Sequence, residues 1–434
     1  MKFFTSKYII ANELRLFLFF LPFQTAFIAS TVFIGGSIWQ QATIIFYLTE
    51  ILLVLMGIRH WFNKKINCSG LIIVMLIYFF VMIWHASDSW LAFQTIRRII
   101  EAGILCMLIR EKYLNNQQII FWLAVGSIVP AVLGIAQFFG QTTWGSTLLG
   151  TTTHSSWIAG ASVVVTSAGR WLRAYGTFPH PNILGGFMVI VISHILFFLQ
   201  SEEKFRQIKT KKLKWFFIVI LIILTVGLVV SFSRSAWLAW AFMIIFSHWR
   251  IFRQPLCRDS FFSLGVFVSA FSFLVLLGLL WPIVTTRFSM VEIHEVNSIS
   301  ERVIGYAEAW NIFKNNWFFG AGPGNFTVFL QKQNSALNGW QLQPVHNVFV
   351  LGLVEWGIFG MIFWLWFIYF IAKNMRFKLE NVIWGLGPIF VLSFFDHYLY
   401  TTWIGLCLFA ISISSTCYPH QRSVEAKNSL IYPH

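Results

Sequence analysis

The chain has 434 residues, of which 57% are hydrophobic and only 11% charged, with 48 Phe and 21 Trp. Its mean hydropathy is +0.71. A soluble domain carries about 25% charged residues, and a water-soluble fold of this length does not cover its surface with so few. The net charge of +15 is not a nucleic-acid signal, because the basic residues sit in short segments between apolar runs. The densest cluster, Lys204, Arg206, Lys209, Lys211, Lys212 and Lys214, reads as a topology signal facing anionic membrane lipid, and no nucleic-acid partner is expected.

A helix needs about 20 apolar residues to cross the hydrocarbon core. In chain order, twelve runs fit: 14–35, 40–58, 70–86, 90–109, 117–139, 182–200, 214–232, 235–249, 261–284, 346–372, 382–395 and 399–417. The first follows Lys2 and Lys7 as a signal peptide would, but many similar segments come after it, so it reads as an uncleaved span. The expectation is a single all-α polytopic membrane domain over 1–434. Within the fourth span, Arg97 and Arg98 lie four and three residues before Glu101, which puts the charges on one face as a buried structural pair.

Orientation follows from charge. With the N-terminus inside, most Lys and Arg fall on the cytoplasmic side. The outward segments keep only Arg170, Arg173, Arg234, Arg287, Arg302, Lys314 and Lys332. This bias predicts a multi-pass protein with both termini cytoplasmic. Two outward segments are long. Residues 140–181 are rich in Gly, Ser and Thr. Residues 285–345 are expected to carry one amphipathic helix at about 299–314, with Ser298 and Glu301 at capping-box spacing. Val303, Ile304, Ala307 and Trp310 would form its apolar stripe. The five cysteines show no zinc or C-x-x-C spacing, and none lies in an outward loop: Cys68, Cys257 and Cys417 fall on the cytoplasmic side and Cys106 and Cys407 within spans. No structural disulfide is expected.

Outward arginines run against the bias and need a reason. Arg173 precedes a span in Arg-Ala-Tyr-Gly-Thr-Phe-Pro-His-Pro-Asn, residues 173–182. Arg234 sits in the short hairpin 231–235, and Arg302 on the expected loop helix. Their planar forks suit phosphate oxygens. The bland alternative is pairing with Glu292, Glu295, Glu301 or Glu308, or snorkelling to headgroups. His346 opens the tenth span and is either a proton acceptor for a hydroxyl or an interfacial anchor. Asn347 beside it is an N-cap or a substrate hydrogen-bonder. Glu355, two turns further on, is a functional candidate because a buried intramembrane acid is costly, unless it only bonds a neighbouring helix. His180 and Asn182 flank Pro181 at the start of the sixth span, where structural and functional readings weigh equally. Asp396 and His397 in the last outward turn are weaker candidates for the same cavity. There is no Walker A sequence, no zincin motif, no GxSxG elbow and no metal-type spacing. Neither metal nor cofactor is called for.

Together these segments resemble the O-antigen ligase-like superfamily, which includes O-antigen ligases, Wzy-type polymerases and O-oligosaccharyltransferases. The likeness rests on Arg173 through Asn182 with Gly185 and Gly186, and on Ser233-Arg234-Ser235-Ala236-Trp237. It continues with Arg302, Trp310 and the stretch Gly320 to Phe326, and ends on His346-Asn347 with Glu355 and Gly357. It covers roughly 170–365. The resemblance implies an inverting, GT-C-like glycosyltransferase of the bacterial inner membrane. Such an enzyme serves polysaccharide or lipopolysaccharide biosynthesis in the cell envelope. Its donor would be a glycan on undecaprenyl diphosphate and its acceptor a sugar hydroxyl on a glycan or a lipid A-core-like molecule. It implies that Arg173, Arg234 and Arg302 hold the donor diphosphate, and that His346 activates the acceptor. The short loop and the lack of a C-terminal soluble domain depart from the protein-glycosylating relatives, and they do not separate ligase from polymerase. The rival class is a lipid-linked glycan transporter or flippase, although no inverted repeat is visible.

Overall fold

In hydrocarbon every backbone N–H and C=O must find a partner within the chain, so apolar runs fold as helices. The computed structural model describes residues 2–39, 41–63, 70–158, 160–200, 211–253, 261–289, 293–339, 341–373, 375–376, 378–416 and 418–419. Lys204, Arg206, Lys209, Glu292, Cys68, Cys257 and Cys417 lie outside the described residues.

The chain is mostly helical, as expected. Its helices are α1 (Lys2–Phe20), α2 (Leu48–Asn63), α3 (Gly70–His85), α4 (Ser89–Arg110), α5 (Asn116–Gly140), α6 (Pro181–Gln200), α7 (Lys211–Val230) and α8 (Arg234–Arg253). They continue as α9 (Phe261–Leu279), α10 (Trp281–Ser289), α11 (Ile293–Asn315), α12 (Phe326–Gln333), α13 (Val348–Lys373), α14 (Leu379–Ser393), α15 (Tyr398–Thr401) and α16 (Trp403–Thr416). Among the described residues, five helices are long and apolar enough to span a membrane by length and composition: α5, α6, α7, α9 and the first 23 residues of α13. Others expected as spans are shorter or more charged, such as α3 with 16 residues and α4 with its Arg and Glu.

The start of the chain departs from the expected spans. Helix α1 stops at Phe20, since Pro22 disfavours helix at the residue before it. The apolar stretch that follows is β-branched and aromatic, and it pairs as strands. Strand β1 (Ala26–Ser30) lies antiparallel to β4 (Ile44–Tyr47), and β2 (Phe33–Ile34) to β3 (Ser37–Ile38). Mean hydropathy does not distinguish such hairpins from a span, so 14–35 and 40–58 are corrected to helices at 2–20 and 48–63. The 140–181 segment likewise holds β5 (Thr142–Thr143) paired with β6 (His154–Ser155), and β7 (Val163–Thr166) paired with β8 (Gly169–Leu172).

Helix α6 is the axis of the bundle: 94% of its spanning window is buried, and it packs against α5, α7, α8, α9 and α14. Gly186 makes one of these contacts possible, because a Cβ there would collide with the Tyr398 hydroxyl. Arg97 pairs with Glu101 at 2.5 Å, and Glu50 from α2 joins at 3.4 Å from Arg97 and 3.5 Å from Arg98. Two guanidinium groups thus meet two carboxylates, the arrangement that buried charges require. Cys407 is a free thiol.

The segments assigned outward by charge gather at one end. Gly339 N donates to Ile34 O at 3.2 Å, Asp88 N to Asn325 Oδ1 at 2.6 Å, and Thr25 Oγ1 to Leu148 O. A second, smaller core forms there from Trp39, Ala309, Ile312, Phe326, Leu342, Val345 and Leu351. The loop helix α11 runs 293–315, longer than expected, so Ser298 lies inside it rather than at its start. Its expected apolar stripe is also corrected. Val303, Ile304 and Trp310 are exposed, while Ala309 and Ile312 are buried. Helix α13 is interrupted at Gly357, whose φ of 64° and ψ of −177° leave the helix. The break frees Ile358 N and Phe359 N to donate to Trp317 O and Phe318 O at 2.9 and 3.0 Å, which ties the spanning helix to the loop.

Candidate functional site

Strand β8 delivers Arg173 at its end, where the side chain is buried. Its Nε donates to Ser231 O at 2.8 Å, and its Nη2 to Asn182 Oδ1 at 2.6 Å. Asn182 is the second residue of α6. Its Nδ2 donates to Asp396 Oδ2 at 2.9 Å. Asp396, in the turn after α14, accepts on Oδ1 from the His397 backbone at 2.8 Å and faces His346 Nδ1 at 3.5 Å. Arg173, Asn182, Asp396 and His346 thus form one polar chain drawn from three separate parts of the sequence. His346 itself lies two residues before α13. Asn347 next to it caps that helix, with Oδ1 accepting from Phe349 N and Val350 N at 2.9 and 3.0 Å. Its Nδ2 donates to Tyr306 Oη and Phe394 O, both at 3.3 Å. The N-cap role is therefore filled, and the residue also holds α11 to α14.

The remaining guanidinium groups approach from the same end. Arg234 opens α8, three residues past Ser231, and its Nη1 donates to Arg287 O at 3.2 Å. Arg287 is buried and donates from Nε and Nη2 to Phe232 O at 3.3 and 3.1 Å. It was legible only as one of the outward arginines, and no local motif marked it. Arg302 is half-buried on α11, one turn before the Tyr306 that meets Asn347, so it shares that helix face.

His180 accepts on Nδ1 from Asn182 N at 3.1 Å, and its Nε2 meets Ser162 Oγ at 3.0 Å. Burial, reinforced by the nearby Arg173 charge, lowers its pKa to about 3. It is a neutral imidazole with both nitrogens engaged, which makes it a support for the loop rather than a proton acceptor. Burial and the neighbouring His346 lower His397 to about 4. Burial alone would raise the Asp396 carboxyl. His346 facing it, with the positive charge that His346, His397 and His180 can carry, outweighs this and holds it well below the usual carboxylate range.

Glu355 does not join this chain. Its Oε2 accepts from Gly324 N at 2.7 Å and Tyr400 Oη at 2.8 Å, and its Oε1 from Phe326 N at 3.3 Å. These bonds shape the glycine-rich segment and the start of α12, so the costly intramembrane acid is explained by backbone donors it satisfies.

Beside Asn347 an apolar groove of about 480 Å³ is lined by Leu238, Phe242, Tyr306, Phe390, Phe394 and Phe395. Among the described residues, His346, Asp396 and His397 also form a group that could hold a cation, each offering one ligand atom and all within 4.8 Å of one another.

In this helical membrane protein Arg173 and a histidine–aspartate contact thus belong to one polar chain, with an apolar groove beside the neighbouring Asn347. Residues 219–365, about a third of the chain, match the family model described as O-antigen ligase, in line with the resemblance to the O-antigen ligase-like superfamily read from the sequence. No curated protein matches the chain. The matched stretch holds Arg234, Arg287, Arg302, His346 and Asn347. Arg173, Asn182 and Asp396, which complete the polar chain, come from outside it.

Proposed function

We propose that the protein transfers or polymerises glycan from a polyprenyl diphosphate, undecaprenyl diphosphate in a bacterial inner membrane, onto a sugar hydroxyl at the outer face. The observation that carries this reading is the buried chain from Arg173 through Asn182 and Asp396 to His346. It joins an anion-binding guanidinium to an imidazole whose Nδ1 is oriented by a carboxylate.

In the proposed reaction the acceptor oxygen attacks the anomeric carbon as the bond to the diphosphate breaks on the opposite face, with inversion. The acceptor proton passes to His346 Nε2, and Asp396 steadies the imidazolium through Nδ1. The 3.5 Å separation is long for a hydrogen bond, and such contacts tighten when substrate binds. Negative charge develops on the leaving diphosphate, where Arg173, Arg234 and Arg302 stabilise it more than in the ground state. Arg287, buried against the Arg234 loop, positions that loop. The isoprenoid tail lies in the groove at Phe242, Phe390 and Phe394, beside the polar site. Energy comes from the donor bond, so no nucleotide is needed.

The test is glycan transfer by the purified protein from a lipid-linked donor, with His346→Ala as the variant. Loss of transfer with insertion intact supports the reading, and full activity defeats it. A deletion strain then separates the two reactions. Single attached units without long chains mark a polymerase, and accumulated unattached chains mark a ligase.

A further inference from the structure

The three groups His346, Asp396 and His397 have the composition of a metal site, two imidazoles and one carboxylate, which suits a borderline divalent ion such as Zn²⁺. The geometry is close to ready. An ion with bonds of about 2.0–2.1 Å sets tetrahedral ligand atoms roughly 3.3 Å apart, and His346 Nδ1 lies 3.5 Å from Asp396 Oδ1. The three ligand atoms all lie within 4.8 Å of one another. The two rings already face each other, with centroids 5.1 Å apart.

The surrounding hydrogen bonds aim these ligands. His397 Nδ1 meets Thr401 Oγ1 at 2.9 Å, which leaves Nε2 to coordinate and fixes the ring as partners around metal-bound histidines do. Asp396 Oδ2 accepts from Asn182 at 2.9 Å, and Oδ1, which accepts from His397 N at 2.8 Å, keeps a second lone pair on the side that faces His346. His346 Nδ1 is buried and has no hydrogen-bond partner, although buried polar atoms normally have one. His180, the other histidine at this place, has both nitrogens occupied and stays out of the set. Three protein ligands leave one position of a tetrahedral ion open toward the pocket.

We propose that a Zn²⁺-class cation binds at His346 Nδ1, Asp396 Oδ1 and His397 Nε2, and that its binding silences the enzyme. The second half rests on the function proposed above. A cation on Nδ1 displaces the proton that would face Asp396, and it takes that carboxylate as a ligand. Protonating Nε2 would then place positive charge next to a dication, so His346 no longer accepts the acceptor's proton. The nearby Arg173, one residue away through Asn182, weakens the site electrostatically, so the ion is exchangeable rather than structural.

The test titrates the full-length, tag-free protein in detergent with Zn²⁺ by calorimetry and with Co²⁺ by its visible ligand-field absorption. Neither readout needs a glycan substrate. We expect one saturable ion per chain, with affinity at least about tenfold weaker in His397→Gln and in Asp396→Asn. Should His397→Gln not insert, Thr401→Val, which unfastens the same ring, carries the test with a smaller loss. No saturable binding, or binding unchanged in these variants, overturns the site. In the transfer assay Zn²⁺ should inhibit the wild-type protein and EDTA restore it, while His397→Gln keeps transferring in the presence of Zn²⁺. Bound Zn²⁺ with undiminished wild-type transfer overturns the silencing. A chain that binds Zn²⁺ but never turns over glycan, with or without EDTA, leaves the site standing and counts against the function instead.

Discussion

The two cores of this protein obey opposite reading rules. Around α6 an apolar sequence means burial: 94% of its spanning window is enclosed by neighbouring helices. In α11 apolar residues lie on the exposed side as well as on the buried one. Val303 is 64% and Trp310 58% exposed, while Ala309 and Ile312 are each 1% exposed. Water does not set the rule at a membrane surface. Apolar side chains there face lipid or a lipid substrate as readily as a core, and small residues take the places of close packing. The candidate site lies where the regions meet, with Arg173 and Asn182 on the α6 side and Tyr306, which meets Asn347, on the α11 side.

The largest expected effect falls on that seam. His346→Ala should reduce glycan transfer by roughly 10²–10⁴-fold, the usual contribution of a positioned acid or base, with unchanged thermal unfolding in detergent. Ile312→Ala in the small core should cost about 2–5 kcal/mol, as other buried truncations do, read as a fall in midpoint of thermal unfolding. Gly186→Ala in the large core sets a methyl against the Tyr398 hydroxyl and should cost about 1–3 kcal/mol by overpacking. A neutral result there would mean that α6 and α15 are less tightly apposed than described. Arg173→Lys keeps the charge but loses the fork that bonds Ser231 and Asn182 together. Transfer should drop roughly tenfold, in line with the loss of about one charged hydrogen bond. Equal activity would reduce Arg173 to plain charge. Val303→Ala should change stability by less than about 0.5 kcal/mol. A loss as large as that of Ile312→Ala would erase the distinction between the two regions.

Several residues of the proposed site were legible one by one. Arg173, Arg234 and Arg302 stand out because they oppose the charge bias, and His346 because it opens a span. Their partners were harder to see. Asp396 is 214 residues from Asn182, and nothing near Asp396 in sequence marks it as more than a turn residue. Arg287 had the same outward placement as Arg234 but no motif. Glu355 was correctly suspicious as a buried acid, yet only the positions of Gly324, Phe326 and Tyr400 reveal that structural donors satisfy it.

Composition alone determined that this chain lives in lipid and is mostly helical, because solvent preference is a property of each residue in turn. Packing decided the rest. Whether residues 26–47 pair as hairpins or cross the bilayer, which side of α11 meets the core, and which carboxylate comes to face His346 all depend on contacts between segments distant in sequence. Those contacts are fixed by shape and hydrogen-bond satisfaction, which hydropathy does not encode.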